Sequence, residues 1–197
     1  MNARDNIRIA NCSGYYGDKL SAAKELIEGG PIDFLTGDYL AELTMGILYS
    51  QKLKRGEDMG YVGTFLKQYR DVAKTCQTKG IKIVVNAGGL NPKSMANELN
   101  KINEELSLEM NVAYIDGDDI VDDLSTLQYQ GEEFFHLDKH VPISSSGCEI
   151  ITANVYLGAW GIVKALDLGA DVVICPRVTD ASLVIGPAAW KFGWKRD

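Results

Sequence analysis

Asp38 and Glu42 stand four residues apart where a helix is expected to begin, which puts both carboxylates on one face at the positive end of the helix dipole. Acids placed there either complement the helix end or work as a general acid/base pair, one orienting the other. Arg177 and Asp180 pose the same choice at a second expected helix start. They form either a local ion pair or a guanidinium fork for a substrate carboxylate or phosphate. Gly14-Tyr-Tyr-Gly17, flanked by Ser13 and Asp18, lies between a strand and a helix. It is either a tight turn or an anion cradle of backbone N–H groups, although it lacks the third glycine of the dinucleotide fingerprint. Asn86-Ala-Gly-Gly89, with Asn91 just beyond, puts two glycines at the mouth of a buried strand, where another group can approach or the chain can simply turn. His136 and His140 would share a metal only on a helix; the flanking Phe134-Phe135 and Pro142 read as extended, so no metal is assigned.

These residues need a scaffold. Strands are expected at 7–12, 32–36, 81–85, 112–115 and 171–175, the third an apolar β-branched run of the kind covered on both faces. Between them, Asp18 is expected to cap a first helix, and a second should run over 39–54. A third should carry Val62, Phe65, Leu66, Tyr69, Val72, Ala73 and Cys76 on one stripe, closed by Gly80. Asn91-Pro92 marks the start of a fourth. A short helix through Val121, Leu124 and Leu127 follows, then an extended excursion or hairpin over 130–143. Ser146-Gly-Cys-Glu149 fits a capping box opening a long helix to about Leu168, and a last helix should run from Asp180 towards Trp190.

Strands alternating with helices imply an α/β protein, a three-layer, mostly parallel sheet with helices on both faces, in a single domain over 1–197. A part of a βα barrel is the alternative, since five units fall three short of a closed one. In a parallel sheet all strand C-termini share one edge. The five loops there are Cys12–Asp18, Thr36–Asp38, Asn86–Asn91, Asp116–Asp118 and Pro176–Asp180. Every one carries acids, amides or an arginine, whereas the opposite connections (Gly29-Gly30-Pro31, Lys79-Gly80, Gly169-Ala170) are plain stops.

The composition limits the partners. The 197 residues are 46% hydrophobic and carry 20 basic against 27 acidic side chains, a net charge of −7, so no broad basic face awaits nucleic acid. No long apolar run or basic-then-apolar start points to a membrane or a leader, so a cytoplasmic protein is expected. The four cysteines, at 12, 76, 148 and 175, contain no Cys-x-x-Cys pair and read as reduced thiols.

Five strings, Gly14-Tyr-Tyr-Gly-Asp18, Asp38-Tyr-Leu-Ala-Glu-Leu-Thr44, Asn86-Ala-Gly-Gly-Leu-Asn-Pro92, Ala153-Asn-Val-Tyr-Leu-Gly-Ala159 and Arg177-Val-Thr-Asp-Ala-Ser182, together resemble the acyclic terpene utilisation (AtuA-type) family, in its order and over nearly the whole chain. The resemblance implies a role in breaking down acyclic terpenes, a route that runs through CoA thioesters. Family members are longer, so the chain is expected to be an N-terminal piece. The stretch Asp138-Lys-His-Val-Pro142 departs from the family's usual turn.

The leading expectation is hydration, dehydration or C–C cleavage of a branched acyl-CoA-like or carboxylate substrate without a redox cofactor. Asp38 or Asp180 would carry the proton and Glu42 would orient it. Arg177, Asn86 and the Gly88–Gly89 backbone would hold substrate charge, with Ser13, Gly14, Gly17, Asp18, Asn91, Asp116 and Asn154 completing the contacts. The alternatives are a non-catalytic subunit or ligand-binding module needing a partner chain, and a nucleotide-binding enzyme using Gly14–Gly17. A homo-oligomer or a C-terminal partner chain would supply the assembly.

Overall fold

The structure is a computed structural model that describes residues 6–196; the start at Met1–Asp5 and the final Asp197 lie outside the described residues. Five strands, β1 (Ile9–Asn11), β2 (Phe34–Gly37), β3 (Lys82–Val85), β4 (Val112–Tyr114) and β5 (Val172–Ile174), form one parallel sheet in the order β1-β2-β3-β5-β4. The chain is α/β, with an open sheet among the described residues.

Alternation along the strands makes two cores. Leu35, Ile83, Val85, Val172 and Ile174 face α1 (Ala22–Gly29), α2 (Glu42–Arg55), α3 (Gly63–Lys79) and α4 (Pro92–Leu106). Phe34, Val84, Val173 and Cys175 face the other way, onto α6 (Trp160–Asp167) and α7 (Ser182–Phe192). Helices change face because the chain changes direction across the sheet: it steps from β1 to β3 and past to β4, then returns to insert β5. The striped helix α3 buries Phe65, Tyr69, Val72, Ala73 and Cys76, and Gly80 ends it in the left-handed conformation (φ 66°), its N–H donated to the Cys76 and Gln77 carbonyls. Asn91 caps α4 by accepting from the Ser94 amide, with Pro92 at the first helical position.

Three expectations are corrected. Asp18 does not cap a helix: its carboxylate accepts from the amides of Gly14 (2.9 Å) and Lys19 (2.7 Å), and α1 starts only at Ala22. Helix α2 starts at Glu42, because Tyr39 is drawn into the core, where its hydroxyl donates to Gln68 Oε1 at 2.7 Å. The Ser146–Glu149 capping box opens no helix. Ser146 Oγ accepts from the Cys148 amide, Gly147 takes a positive φ of 65°, and the chain stays irregular until α6 begins at Trp160. Tertiary hydrogen bonds win there, since amides near residue 155 are taken by the loop after β4. Between β4 and α6 the chain makes an excursion containing α5 (Leu124–Tyr129), a single 3-10 turn at Ile143–Ser145, and an antiparallel bridge between Phe135 and Pro142. Among the described residues, no helix is long and apolar enough to cross a membrane.

Candidate functional site

The loop after β3 leads to α4 on one face of the sheet, and the loop after β5 leads to α7 on the other. The two diverge and open a crevice at the strand C-termini, the switch point at which open α/β sheets bind ligands. Asn86 follows β3 and Arg177 follows β5, with Asp38 one strand further along.

On the β2–β3 side the buried Asn86 is a cross-link. Its Nδ2 donates to Asp38 Oδ1 (2.6 Å) and its Oδ1 accepts from the Tyr39 amide (2.7 Å), while the Asp38 amide donates to the Ser13 carbonyl (2.9 Å). Asp38 is thus committed to holding the loop that starts α2.

Arg177 is held at both ends. Its backbone amide donates to Asp118 Oδ2 (3.1 Å), which also accepts from Asn154 Nδ2 (2.9 Å), and its carbonyl accepts from the Leu157 amide (3.2 Å). Its guanidinium is buried, the residue 6% exposed, and lies 4.5 Å from the centroid of the Tyr156 ring. Nη2 donates to Glu42 Oε1 (3.2 Å) and to the Tyr156 hydroxyl, and that hydroxyl donates to the same Glu42 oxygen (2.5 Å). Nη1 is buried without a partner among the described residues, an omission that costs about 1–3 kcal/mol where it persists. The Tyr156 hydrogen bond, ahead of the Arg177 charge, holds Glu42 below the usual carboxylate range, and Glu42 in turn pushes the Tyr156 phenol up.

Leu40, Ala41, Glu42, Tyr156, Arg177, Thr179 and Asp180 line a cleft of about 400 Å³. Helix α2 opens onto it with Ala41 as N-cap and no side-chain cap, so the positive end of its dipole faces a space already holding a cation and two acids. The exposed Asp180 carboxylate has no hydrogen-bond partner among the described residues.

The structure therefore brings Glu42, Arg177 and Asp180 to one cleft, with Asp38 and Asn86 beside it as supports. The other residues expected at the site are placed elsewhere. Gly88 and Gly89 offer no donors, because their amides go to the Cys175 carbonyl (3.1 Å) and the Asn86 carbonyl (3.4 Å). Asn91 is a helix cap, Nδ2 going to the Glu57 and Met59 carbonyls. Gly14 has its amide filled by Asp18, Gly17 takes a positive φ of 93°, and Ser13 Oγ donates to the Tyr15 carbonyl. A phosphate there would meet a carboxylate instead of a helix end. Asp116 is exposed in the loop after β4, and Asn154 acts on Asp118. His136 Nδ1 accepts from the amides of Asp138 and Lys139, which closes a turn. Cys12 is buried against the Tyr39 hydroxyl (3.6 Å), and burial pushes its thiol up.

The residues not foreseen are Tyr156 and Asp118. Tyr156 fell in the expected long helix; the β-branched run Ile150-Ile-Thr152 and Val155, bracketed by Gly147 and Gly158, is the signal for an extended path. Asp118 is buried, and burial raises its pKa above the ordinary carboxylate value. A group raised on folding contributes its stability at low pH and loses it as pH rises through the folded value. Asp118→Asn escapes that loss, so the melting temperature of the variant minus that of the protein itself should grow more positive between pH 3 and pH 7. A difference flat in pH would show that Asp118 does not ionise at a burial cost.

No curated protein and no solved structure gives a significant match. The model of one family, described as acyclic terpene utilisation family protein AtuA, matches residues 7–197. With that match running over nearly the whole chain, the chain belongs to the acyclic terpene utilisation (AtuA) family.

Proposed function

We propose that the chain is a catabolic enzyme of lyase or hydratase type. It acts on a branched acyl-CoA-like or carboxylate substrate by hydration, dehydration or C–C cleavage without a redox cofactor. One observation carries this reading: a buried guanidinium, a phenol and two carboxylates share a single cleft at the switch point. Tyr156 donates to the oxygen on which negative charge develops, Arg177 holds the charge the substrate brings, and Asp180, a carboxylate with no hydrogen-bond partner among the described residues, takes or returns the proton. Glu42 orients the phenol and the guanidinium, and the Asp38–Asn86 pair fixes the loop from which α2 starts.

The test is incubation with a panel of branched enoyl-CoA and 3-hydroxyacyl-CoA thioesters and their free acids in ¹⁸O-labelled water, followed by mass spectrometry. Hydration adds labelled water, dehydration removes water, and cleavage gives two fragments. No change across the panel overturns the proposal.

A second reading, a subunit that works with a partner chain, has an observation of its own. Helix α5 buries no residue, Tyr129 and Leu137 are 93% and 89% exposed, and residues 116–151 carry nine acids against one lysine. Such an apolar, acidic arm fits a basic partner surface and repels its own copy. Protein inert on the panel alone but active in a larger species by native mass spectrometry would favour it.

A further inference from the structure

We propose that Arg177 is the seat for a substrate carboxylate, and that the carboxylate of Glu42 occupies this seat until the substrate displaces it. The inference rests on the cleft being the binding site and narrows its substrate to a compact carboxylate with an apolar branched tail.

Arg177 is 6% exposed yet keeps Nη1 without a partner among the described residues, so the fork is half used. A guanidinium satisfies a carboxylate through two parallel N–H donors, and Glu42 engages only Nη2. The two groups over it are the loosely held ones: the Glu42 side chain is 82% exposed and Tyr156 54%. Glu42 is therefore free to turn into solvent without disturbing the core, which the buried Arg177 cannot do, and Tyr156 stays as a donor beside the seat. Beside them α2 presents an end with no side-chain cap, which adds a partial positive charge.

The cleft's charge selects among anions. Among the described residues Arg177 is the one cation lining it, against the acids Glu42 and Asp180, so a carboxylate that takes the place of Glu42 leaves the cleft's charge unchanged, whereas a phosphate dianion makes it more negative and is repelled. Leu40 and Ala41 supply the apolar wall, and about 400 Å³ holds a short branched chain. Among the described residues lining the cleft, the CoA phosphates would find no basic partner besides Arg177. A thioester substrate would keep them outside and present a second, free carboxylate to Arg177.

Glu42 is then a resident competitor, which makes an expectation that a purely structural role does not. The experiment titrates isovalerate, its neutral amide isovaleramide, and inorganic phosphate into the full chain by calorimetry, with Glu42→Gln and Arg177→Lys beside the protein itself. Glu42→Gln removes the competing charge and should tighten isovalerate by about fivefold, the most that a solvent-exposed ion pair contributes. Arg177→Lys keeps the charge but loses the fork, and should weaken isovalerate at least tenfold; isovaleramide and phosphate should not bind detectably. Unchanged or weaker isovalerate binding in Glu42→Gln overturns the proposal even if the arginine variant fails to fold, as does equal binding of the amide or of phosphate. Carboxylate binding without turnover on the thioester panel would sink the catalytic reading alone. Turnover with no tightening in Glu42→Gln would sink this one alone.

Discussion

Asp180→Asn is expected to lower kcat at least about a hundredfold, the lower bound for removing a positioned general acid or base. KM and melting temperature should stay close to those of the unaltered protein. Each part follows from how Asp180 is held. Its side chain lies in the cleft, is exposed, and has no hydrogen-bond partner among the described residues, so an isosteric amide breaks nothing the fold depends on. Surface changes of this kind move stability by about 0.5 kcal/mol, or roughly 2 °C in a domain of this size. A fall in kcat with KM unchanged marks a group that acts only in the transition state, as a proton carrier does. Asp38→Asn is the informative comparison. Asp38 Oδ1 accepts from Asn86 Nδ2 and from the Leu40 amide, and an asparagine oxygen can accept both, so a much smaller loss is expected there. Equal losses in the two variants would return Asp38 to the chemistry, and unchanged turnover in Asp180→Asn would remove its assigned role.

The contrast between those two acids shows how far local sequence reaches. The stripe of α3, the left-handed stop at Gly80, the Asn91-Pro92 helix start and the apolar run of β3 are decided by residues a few positions apart, and all are legible. The strand C-terminal loops were equally readable as the polar edge, because parallel pairing alone puts them together. What local pattern cannot show is which polar groups are already spoken for. Asp18 looked free for a helix and is taken by Gly14. Asp38 looked like a base and is taken by Asn86, a residue 48 positions away. The misread stretch before α6 has the same origin. A capping box weighs one turn of helix, while the Asp118 carbonyl draws the Val155 amide (2.8 Å) and Arg177 draws that of Leu157 (3.2 Å). Those bonds exist only once β4 and β5 lie side by side, and they are what carries Tyr156 to Arg177.

Gly89→Ala should destabilise the fold by about 3 kcal/mol, combining roughly 1–2 kcal/mol for a left-handed non-glycine residue with 1–3 for overpacking. Gly89 has a φ of 55°, and a Cβ built on it would lie 2.4 Å from Leu48 Cδ1 and 2.7 Å from the Gly60 carbonyl oxygen. The leucine tip can turn aside. The Gly60 carbonyl cannot, since it accepts from the Leu90 amide at 2.8 Å and so belongs to the same pinned turn. In a domain of this size the loss corresponds to a drop of roughly 6–12 °C in melting temperature. Gly80→Ala separates the two causes: its φ is 66° but nothing lies within 4 Å of the added carbon, so only the backbone cost of roughly 1–2 kcal/mol applies. The excess in Gly89→Ala over Gly80→Ala therefore measures crowding at the mouth of β3. That crowding bears on function because Asn86, which accepts the Gly89 amide on its carbonyl, holds Asp38 and Tyr39 through its side chain. A turn pushed off Gly60 shifts the start of α2, and with it Glu42. Turnover on the thioester panel should consequently fall with Gly89→Ala at temperatures where the variant is still folded, and stay unchanged with Gly80→Ala. Equal stability losses in the two variants would show that the glycines at this strand end answer only to backbone conformation and do not brace the cleft.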